Sequence, residues 1–256
     1  MSELSNYIDE YLKTEYTLKS TLKDSVQSSV YLYQKNDSAK QIVKISQKNR
    51  NDHVLRRLRG QLNKNTATIY EVCSNDEDVT VLEEYISGAT LRHIVEANGG
   101  TLKRELAVKY ALDICNGLVF IHSLGIIHRD IKPSNIIITE QGEAVIIDFG
   151  IARLTDDSKY ADTKNLGTAG YAAPEQFGIY QSGPVTDIYA VGVLLNELLL
   201  GVHPTIDTPK GKLGKVINKC IMAQMSKRYQ NVSELAEVLN LSLIHISEPT
   251  RPLYIS

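Results

Sequence analysis

The chain has 256 residues, a formal net charge of −2 and an isoelectric point near 6.3. This length can bury a substantial core, in one large domain or in two compact lobes. The small net charge and the lack of a long Lys/Arg run argue against nucleic acid or a membrane surface as a partner. The three cysteines, Cys73, Cys115 and Cys220, are far apart without metal-ligand spacing. We therefore expect buried free thiols in a reducing compartment.

Residues 1–14, MSELSNYIDEYLKT, precede the first strand-like pattern and are interpreted as an N-terminal extension. They lack the basic start and the apolar block of a secretory signal. The most apolar segment, VGVLLNELLLG, carries Asn196 and Glu197 and is too short to span a bilayer. We therefore expect a cytoplasmic domain without a membrane segment.

Residues 15–84 alternate short β-branched runs with polar turns. The runs are YTLKSTL, SVYLYQ, QIVKIS, ATIYEVC and VTVLEE. Such runs are typical of a small antiparallel sheet. This part of the sequence therefore predicts a small β-rich lobe.

The hydrophobic period changes after Tyr85, and residues 85–240 are dominated by helical patterns. The segment TLKRELAVKYALDICNGLVFIHSLG places five apolar residues, from Leu106 to Ile121, on one helix face, and Gly125 is suited to the position just past the end. Two more helices are expected at VTDIYAVGVLLNELLLG and SELAEVLN. The sequence thus predicts an α+β fold in which a larger helical lobe follows the small β-rich lobe.

The last segment, residues 241–256, reads LSLIHISEPTRPLYIS and continues no helical or strand pattern. From Leu241 to Arg251 it resembles the translation of a transposon-end adapter used in DNA library preparation. We interpret it as a non-native tail, and a short native tail is the alternative. In either case we expect the segment to contribute little to stability.

Four polar residues cluster in two short turns of the helical lobe. Asp130 follows the long helix, Lys132 and Asn135 come within five residues of it, and Asp148 ends an apolar strand. Oxygen-bearing side chains at the ends of adjacent strands can hold Mg²⁺. Asp130 would then be free to accept a proton from a hydroxyl, and Lys132 could neutralise charge on a transferred group.

These residues lie in motifs that resemble those of the protein kinase family: HRDIKPSN at 128–135, DFG at 148–150 and APE at 173–175. The resemblance extends over roughly residues 16–239. It implies ATP and Mg²⁺ as cofactors, Asp130 as catalytic base, Lys132 on the γ-phosphate, and Asn135 and Asp148 as Mg²⁺ ligands.

The resemblance also implies where the nucleotide binds. Adenine would contact backbone groups of Glu84 and Ile86 and lie between the side chains of Val30, Ile42 and Ile137. In the segment QIVKIS, Lys44 would contact the α- and β-phosphates. A lysine that points outward from its strand is the alternative.

Further matches concern the scaffold and the substrate class. Asp187 falls where the family has a residue that braces the catalytic loop, and Arg228 falls where an Arg pairs with the APE glutamate, Glu175. The segment GTAGYAAPE resembles the Ser/Thr-specific substrate-binding loop, and it places Thr168 against the catalytic Asp and Lys. A Ser/Thr hydroxyl on a protein is therefore the expected substrate.

Three features depart from the family pattern. The phosphate-covering loop KDSVQSSV has Lys23, Ser25 and Ser28 at its glycine positions. The segment KNRNDHVLRRLRGQ offers no Glu as a partner for the phosphate-binding lysine. Glu83 falls at the back of the ATP pocket, where it would either pair with Lys44 or, after a one-residue shift, be exposed.

The expected function is ATP- and Mg²⁺-dependent transfer of phosphate to Ser/Thr hydroxyls of proteins. Self-phosphorylation is expected between Asp148 and Glu175, with Thr163 as the first choice among Thr155, Ser158, Thr163 and Thr168. The alternative is a pseudokinase, which binds a nucleotide or a partner without transferring phosphate.

Overall fold

The computed structural model describes residues 3–25, 28–48, 51–75, 78–155, 167–177 and 181–247. These residues form the predicted α+β fold, with a β-rich N-terminal lobe and a larger helical C-terminal lobe. The candidate site lies between the two lobes.

The N-terminal lobe is built on an antiparallel sheet with the strand order β1-β2-β3-β5-β4. Its strands are β1 (Tyr16–Asp24), β2 (Ser28–Lys35), β3 (Gln41–Lys48), β4 (Ile69–Ser74) and β5 (Asp78–Glu84). Each strand coincides with one of the β-branched runs, so the predicted sheet is confirmed. The short helix α2 (Asp52–Leu58) connects β3 to β4 and buries Val54, Leu55 and Leu58.

An additional helix, α1 (Glu3–Glu15), covers one face of this sheet, where the sequence predicted only an extension. Ile8 and Leu12 are one helical turn apart and both are buried. They pack with Tyr16, Ile42 and other apolar residues of the sheet in a separate small core. We call this covered side the outer face of the sheet.

The helical lobe is organised around α4 and α5, which are buried along much of their length. Its helices are α3 (Leu91–Ala97), α4 (Arg104–Ser123), α5 (Pro184–Leu200), α6 (Lys212–Cys220) and α7 (Val232–Ser247). The predicted α4 face is buried from Tyr110 to Ile121, and Gly125 follows the helix with φ 71°. That left-handed conformation favours glycine. The cysteines are buried and free, as expected.

Short strands in this lobe position the polar turns. They are β6 (Gly88–Thr90), β7 (Ile126–Ile127), β8 (Ile136–Thr139), β9 (Ala144–Ile146) and β10 (Arg153–Leu154). β8 and β9 pair antiparallel, with Ile136 opposite Ile146. The N–H of Ile147 donates to the carbonyl of Asn135 at 3.0 Å. This register brings the catalytic turn and the DFG turn side by side.

The last described helix corrects one expectation about the tail. α7 continues through residues 241–247, where no helical pattern was expected. Leu243 packs against the main core, whereas Leu241 is exposed. The rest of the adapter-like segment, residues 248–256, lies outside the described residues. Across the described ranges, no helix combines the length and the apolar character that a bilayer crossing requires.

Candidate active site

A cavity of about 260 Å³ lies between the sheet and the helical lobe. Five of the expected site residues line it, namely Val30, Glu84, Ile86, Ile137 and Asp148. Most of the remaining wall is apolar, which suits the flat ring of a nucleotide base.

The register of β3 places Lys44 outside this cavity. Val43, Ile45 and Gln47 line it, so Lys44 points to the outer face because successive strand residues alternate. There its Nζ lies 2.5 Å from Oδ1 of Asp9 in α1. The structure thus supports the alternative interpretation, in which the lysine points outward.

Ile42 shares this outer face with Lys44. It is buried in the small core beneath α1 instead of in the cavity wall. The expectation that Ile42 contacts adenine is therefore also corrected, and for the same reason. Val43 and Ile45 are the β3 residues that take this part of the cavity wall.

Glu83 is buried at the cavity wall, with 6% of its surface exposed. It lies opposite Val43 in the sheet, whereas Lys44 lies opposite Leu82, so the glutamate and the lysine occupy different faces. Both expectations for Glu83, a pair with Lys44 and exposure, are therefore wrong. Burial, and secondarily the charges of Asp148 and Glu84, raise its pKa to about 8.

The segment before α2 supplies no glutamate for an activating pair, as its sequence indicated. Asn51, directly before α2, is buried and its Nδ2 donates a hydrogen bond to the carbonyl of Phe149. Asp52 instead contacts Arg56 and Ser74. The residue before α2 is thus linked to the DFG turn through a neutral amide, and Lys44 of β3 pairs with Asp9 of α1.

The catalytic loop is preorganised around Asp130. Lys132 Nζ donates to Asp130 Oδ2 at 2.7 Å and to Thr168 Oγ1 at 2.7 Å, and Thr168 Oγ1 donates to Asp130 Oδ1 at 2.8 Å. These contacts confirm the expected position of Thr168. They hold the three side chains in one hydrogen-bonded triangle.

Asp130 is kept ionised by these neighbours. Burial alone would raise its pKa, but the hydrogen bonds from Lys132 and Thr168 and the positive charge of Lys132 outweigh that effect. The pKa of Asp130 therefore lies below its ordinary value. An ionised carboxylate can accept a proton, as the base assignment requires.

Asn135 and Asp148 offer a donor set that fits Mg²⁺. Nδ2 of Asn135 donates to the carbonyl and to Oδ2 of Asp130, both at 3.0 Å, which leaves Oδ1 for a cation. Asp148 adds a carboxylate at the cavity wall. Two protein oxygens are a usual contribution to Mg²⁺, because phosphate and water oxygens fill its other positions.

The backbone at this site is held in an uncommon conformation. Arg129 and Asp148 have φ values of 68° and 65°, and they are the only non-glycine residues with positive φ within the described ranges. Such conformations persist only where the surrounding structure fixes them. Here Asp187 accepts hydrogen bonds from the N–H groups of His128 and Arg129 at 2.9 and 2.8 Å. The predicted bracing role of Asp187 is thus confirmed.

A buried ion pair fixes the segment that follows the DFG turn. Arg228 donates to both carboxylate oxygens of Glu175, at 2.7 and 2.8 Å, and both residues are almost completely buried. This is the pair that the sequence predicted.

Of the expected phosphorylation sites, Thr155 and Thr168 are described, whereas Ser158 and Thr163 lie outside the described residues.

The fold and the site geometry agree with comparisons to known proteins. The family model for the protein kinase domain matches residues 15–253, and the chain therefore belongs to the protein kinase family. Among curated proteins, it is 34% identical over 205 residues to a probable serine/threonine-protein kinase of Clostridium acetobutylicum, which covers 70% of this chain and 31% of that protein.

The chain is also similar to kinases named PknB from two other bacteria. It is 42% identical over 127 residues to a probable serine/threonine-protein kinase PknB of Bifidobacterium longum, covering 48% of this chain and 18% of that protein. It is 32% identical over 198 residues to the serine/threonine-protein kinase PknB of Mycolicibacterium smegmatis. This match covers 67% of this chain and 31% of that protein. The chain thus spans about a third or less of the length of these relatives.

Proposed function

We propose that the protein transfers the γ-phosphate of ATP to Ser or Thr hydroxyls of proteins, with Mg²⁺ as the metal ion. The observation that carries this proposal is the triangle of Asp130, Lys132 and Thr168, with Asn135 bonded to it and Asp148 in the adjacent cavity wall. A structural role alone would not require an ionised carboxylate hydrogen-bonded to a lysine in a turn next to the one that carries Asp148.

In the proposed reaction, Asp130 orients the substrate hydroxyl and receives its proton as the oxygen forms a bond to the terminal phosphorus. The bond from that phosphorus to the bridging oxygen breaks, and ADP leaves. Lys132 offsets negative charge on the group in transfer. Asn135 and Asp148 would hold Mg²⁺, which neutralises phosphate charge when bound. Catalysis would thus consist of positioning and charge neutralisation.

For the nucleotide, the proposal uses the residues that line the cavity. Glu84 and Ile86 would supply backbone contacts to adenine, and Val30 and Ile137 would enclose the ring.

A kinase that uses ATP belongs in the cytoplasm, and this location is part of the proposal. Self-phosphorylation at Thr163 is a further part, which mass spectrometry of the purified protein can test.

A second candidate function is a nucleotide- or partner-binding scaffold. It is favoured by the outward position of Lys44 and by the neutral Asn51 at the DFG turn. The two features concern the two halves of one ion pair of the family pattern, of which the sequence already lacked the glutamate. The intact triangle at Asp130 favours the enzyme, so transfer remains our first proposal.

The decisive experiment measures radiolabelled phosphate transfer to the protein itself and to a generic basic protein with Mg²⁺. Asp130→Asn should lose about 100-fold or more in transfer and keep its thermal shift with ATP, because Asp130 does not hold the metal. Asp148→Asn should lose the Mg²⁺-dependent thermal shift as well. Asp207→Asn, an exposed residue of the helical lobe, is the matched control. ATP binding without transfer in wild type would favour the scaffold.

A further inference from the structure

The cavity contains a charge imbalance that the family resemblance does not resolve. Within the described residues, its wall includes the acidic residues Glu83 and Asp148 but only one Lys or Arg, which is Lys23. A nucleoside triphosphate brings several negative charges into such a site. Lys132 is proposed to offset charge on the terminal phosphate, so a further fixed cation would act on the phosphates nearer the base.

The two ends of the cavity differ in polarity along β3. One end lies at Val43, which pairs with Glu83 next to Glu84, and the other lies at Gln47, which pairs with Ser28. Four residue steps along the strand separate these ends by roughly 13 Å. Gln47 reaches toward Gly150 of the DFG turn, since a Cβ on Gly150 would lie 3.8 Å from Gln47 Oε1. The phosphates belong at this polar end if the base lies at Glu84.

A distortion in β1 brings Lys23 to the cavity wall, two strand positions from the Gln47 end. Leu22 and Lys23 are consecutive, yet both line the cavity, which regular strand alternation would forbid. The pairing of β1 with β2 shifts register between Thr21 and Lys23. Such a bulge re-aims side chains, and here it brings Lys23 opposite Val30, which also lines the cavity.

Lys23 is exposed, and no ion pair or hydrogen bond occupies its ammonium group within the described residues. It can therefore turn to a ligand without breaking an existing contact. We propose that Lys23, from the phosphate-covering loop, contacts the phosphates of the bound nucleoside triphosphate and takes the place of the β3 lysine that points outward. This inference rests on the proposed function, because it assumes that the cavity binds Mg²⁺-ATP.

The test compares affinities for Mg²⁺-ATP and for adenosine by isothermal titration calorimetry. Lys23→Met should weaken Mg²⁺-ATP binding about tenfold or more, as for the loss of a charge-assisted hydrogen bond, and leave adenosine binding unchanged. Lys23→Arg should retain most of the ATP affinity. The matched control is Lys19→Met, an exposed lysine of the same strand that does not line the cavity.

Three results would overturn the inference while the proposed function stands. The first is a loss of Mg²⁺-ATP affinity of less than about threefold in Lys23→Met. The second is that Lys23→Met loses affinity for adenosine and for Mg²⁺-ATP equally. The third is that Lys19→Met loses as much Mg²⁺-ATP affinity as Lys23→Met does. Wild-type protein that fails to bind Mg²⁺-ATP would instead overturn the proposed function and the inference together. The two failures are thus distinguished by the wild-type titration.

Discussion

Lys44 of β3 and Asp9 of α1 form an ion pair on the outer face of the N-terminal sheet, with Nζ and Oδ1 2.5 Å apart. The lysine side chain is 15% exposed and the aspartate 34% exposed. The pair connects the N-terminal helix to the central strand of the lobe. A lysine that the family resemblance assigned to phosphate binding thus serves as a structural contact.

The pair is expected to contribute to stability as a coupled unit. Asp9→Asn and Lys44→Met should each lower the free energy of unfolding, and the double variant should lose less than the sum, with a coupling of about 0.5–1 kcal/mol. Urea denaturation of the four proteins measures this coupling. The more exposed pair of Arg59 and Glu71 is the control and should show a smaller value. Additive losses at Asp9 and Lys44 would contradict the prediction.

The sequence predicts the strands and the catalytic turns well, because local signals determine both. Alternation defines β1 to β5, and the residues from Asp130 to Asn135 carry their geometry within one short turn. The face of Lys44 depends on register, which a one-residue shift inverts. The sequence did contain a signal for the observed register. Val43 and Ile45 flank Lys44, and because strand residues alternate, a lysine between two residues of the apolar face points to the opposite face.

Helix positions away from these turns were harder to predict. In α1, the buried apolar residues Ile8 and Leu12 are only one helical turn apart. The apolar periodicity that would indicate a helix is therefore too short to detect from the sequence. The extension of α7 to Ser247 depends on packing of Leu243 against the core. Such tertiary contacts decide helix ends more than local propensity does.

Glu83 makes stability depend on pH. Its pKa is raised to about 8 in the folded protein, mainly by burial, so the folded state holds its proton more tightly than the unfolded state. The free energy of unfolding should therefore fall as pH rises from about 4.5 through about 8. Glu83→Gln should remove this component and raise stability at pH 8 by about 1–3 kcal/mol, with little effect at pH 5.

Thermal denaturation of wild type and Glu83→Gln across this pH range measures the effect. The control is Glu140→Gln, in the turn after β8, which should leave the pH profile unchanged. Parallel profiles for wild type and Glu83→Gln would show that the Glu83 carboxyl is solvated in the folded protein.

The buried pair of Glu175 and Arg228 should be among the costliest polar contacts to break. Glu175→Gln leaves the guanidinium without its carboxylate in a fully buried position, and we expect a loss of about 3–5 kcal/mol in the free energy of unfolding. Urea denaturation measures this loss. Glu71→Gln breaks an exposed pair and should cost less than about 1 kcal/mol. Similar losses for both variants would contradict the role assigned to burial.

The end of α7 offers a matched pair of leucines that tests whether this segment belongs to the fold. Leu243 packs against the main core, whereas Leu241 is 58% exposed. Leu243→Ala should lower the free energy of unfolding by about 1 kcal/mol, and Leu241→Ala should change it by less than about 0.5 kcal/mol. Equal, small effects would show that residues 241–247 do not dock, as the adapter-like sequence had suggested.

Thr168 connects the segment GTAGYAAPE to Asp130, the proposed catalytic base, and removal of its hydroxyl should shift the pH dependence of the proposed transfer. Its hydroxyl donates to Asp130 Oδ1 and so helps to keep the pKa of that carboxyl low. In Thr168→Ala the pKa of Asp130 should rise. The acidic limb of the kcat profile should then move to higher pH, because the base must be ionised to accept a proton. Thr168→Ser restores the hydroxyl and should return the limb toward its wild-type position. Measured kcat against pH for the three proteins provides the test, and a reduced kcat with an unshifted acidic limb would assign Thr168 a positioning role only.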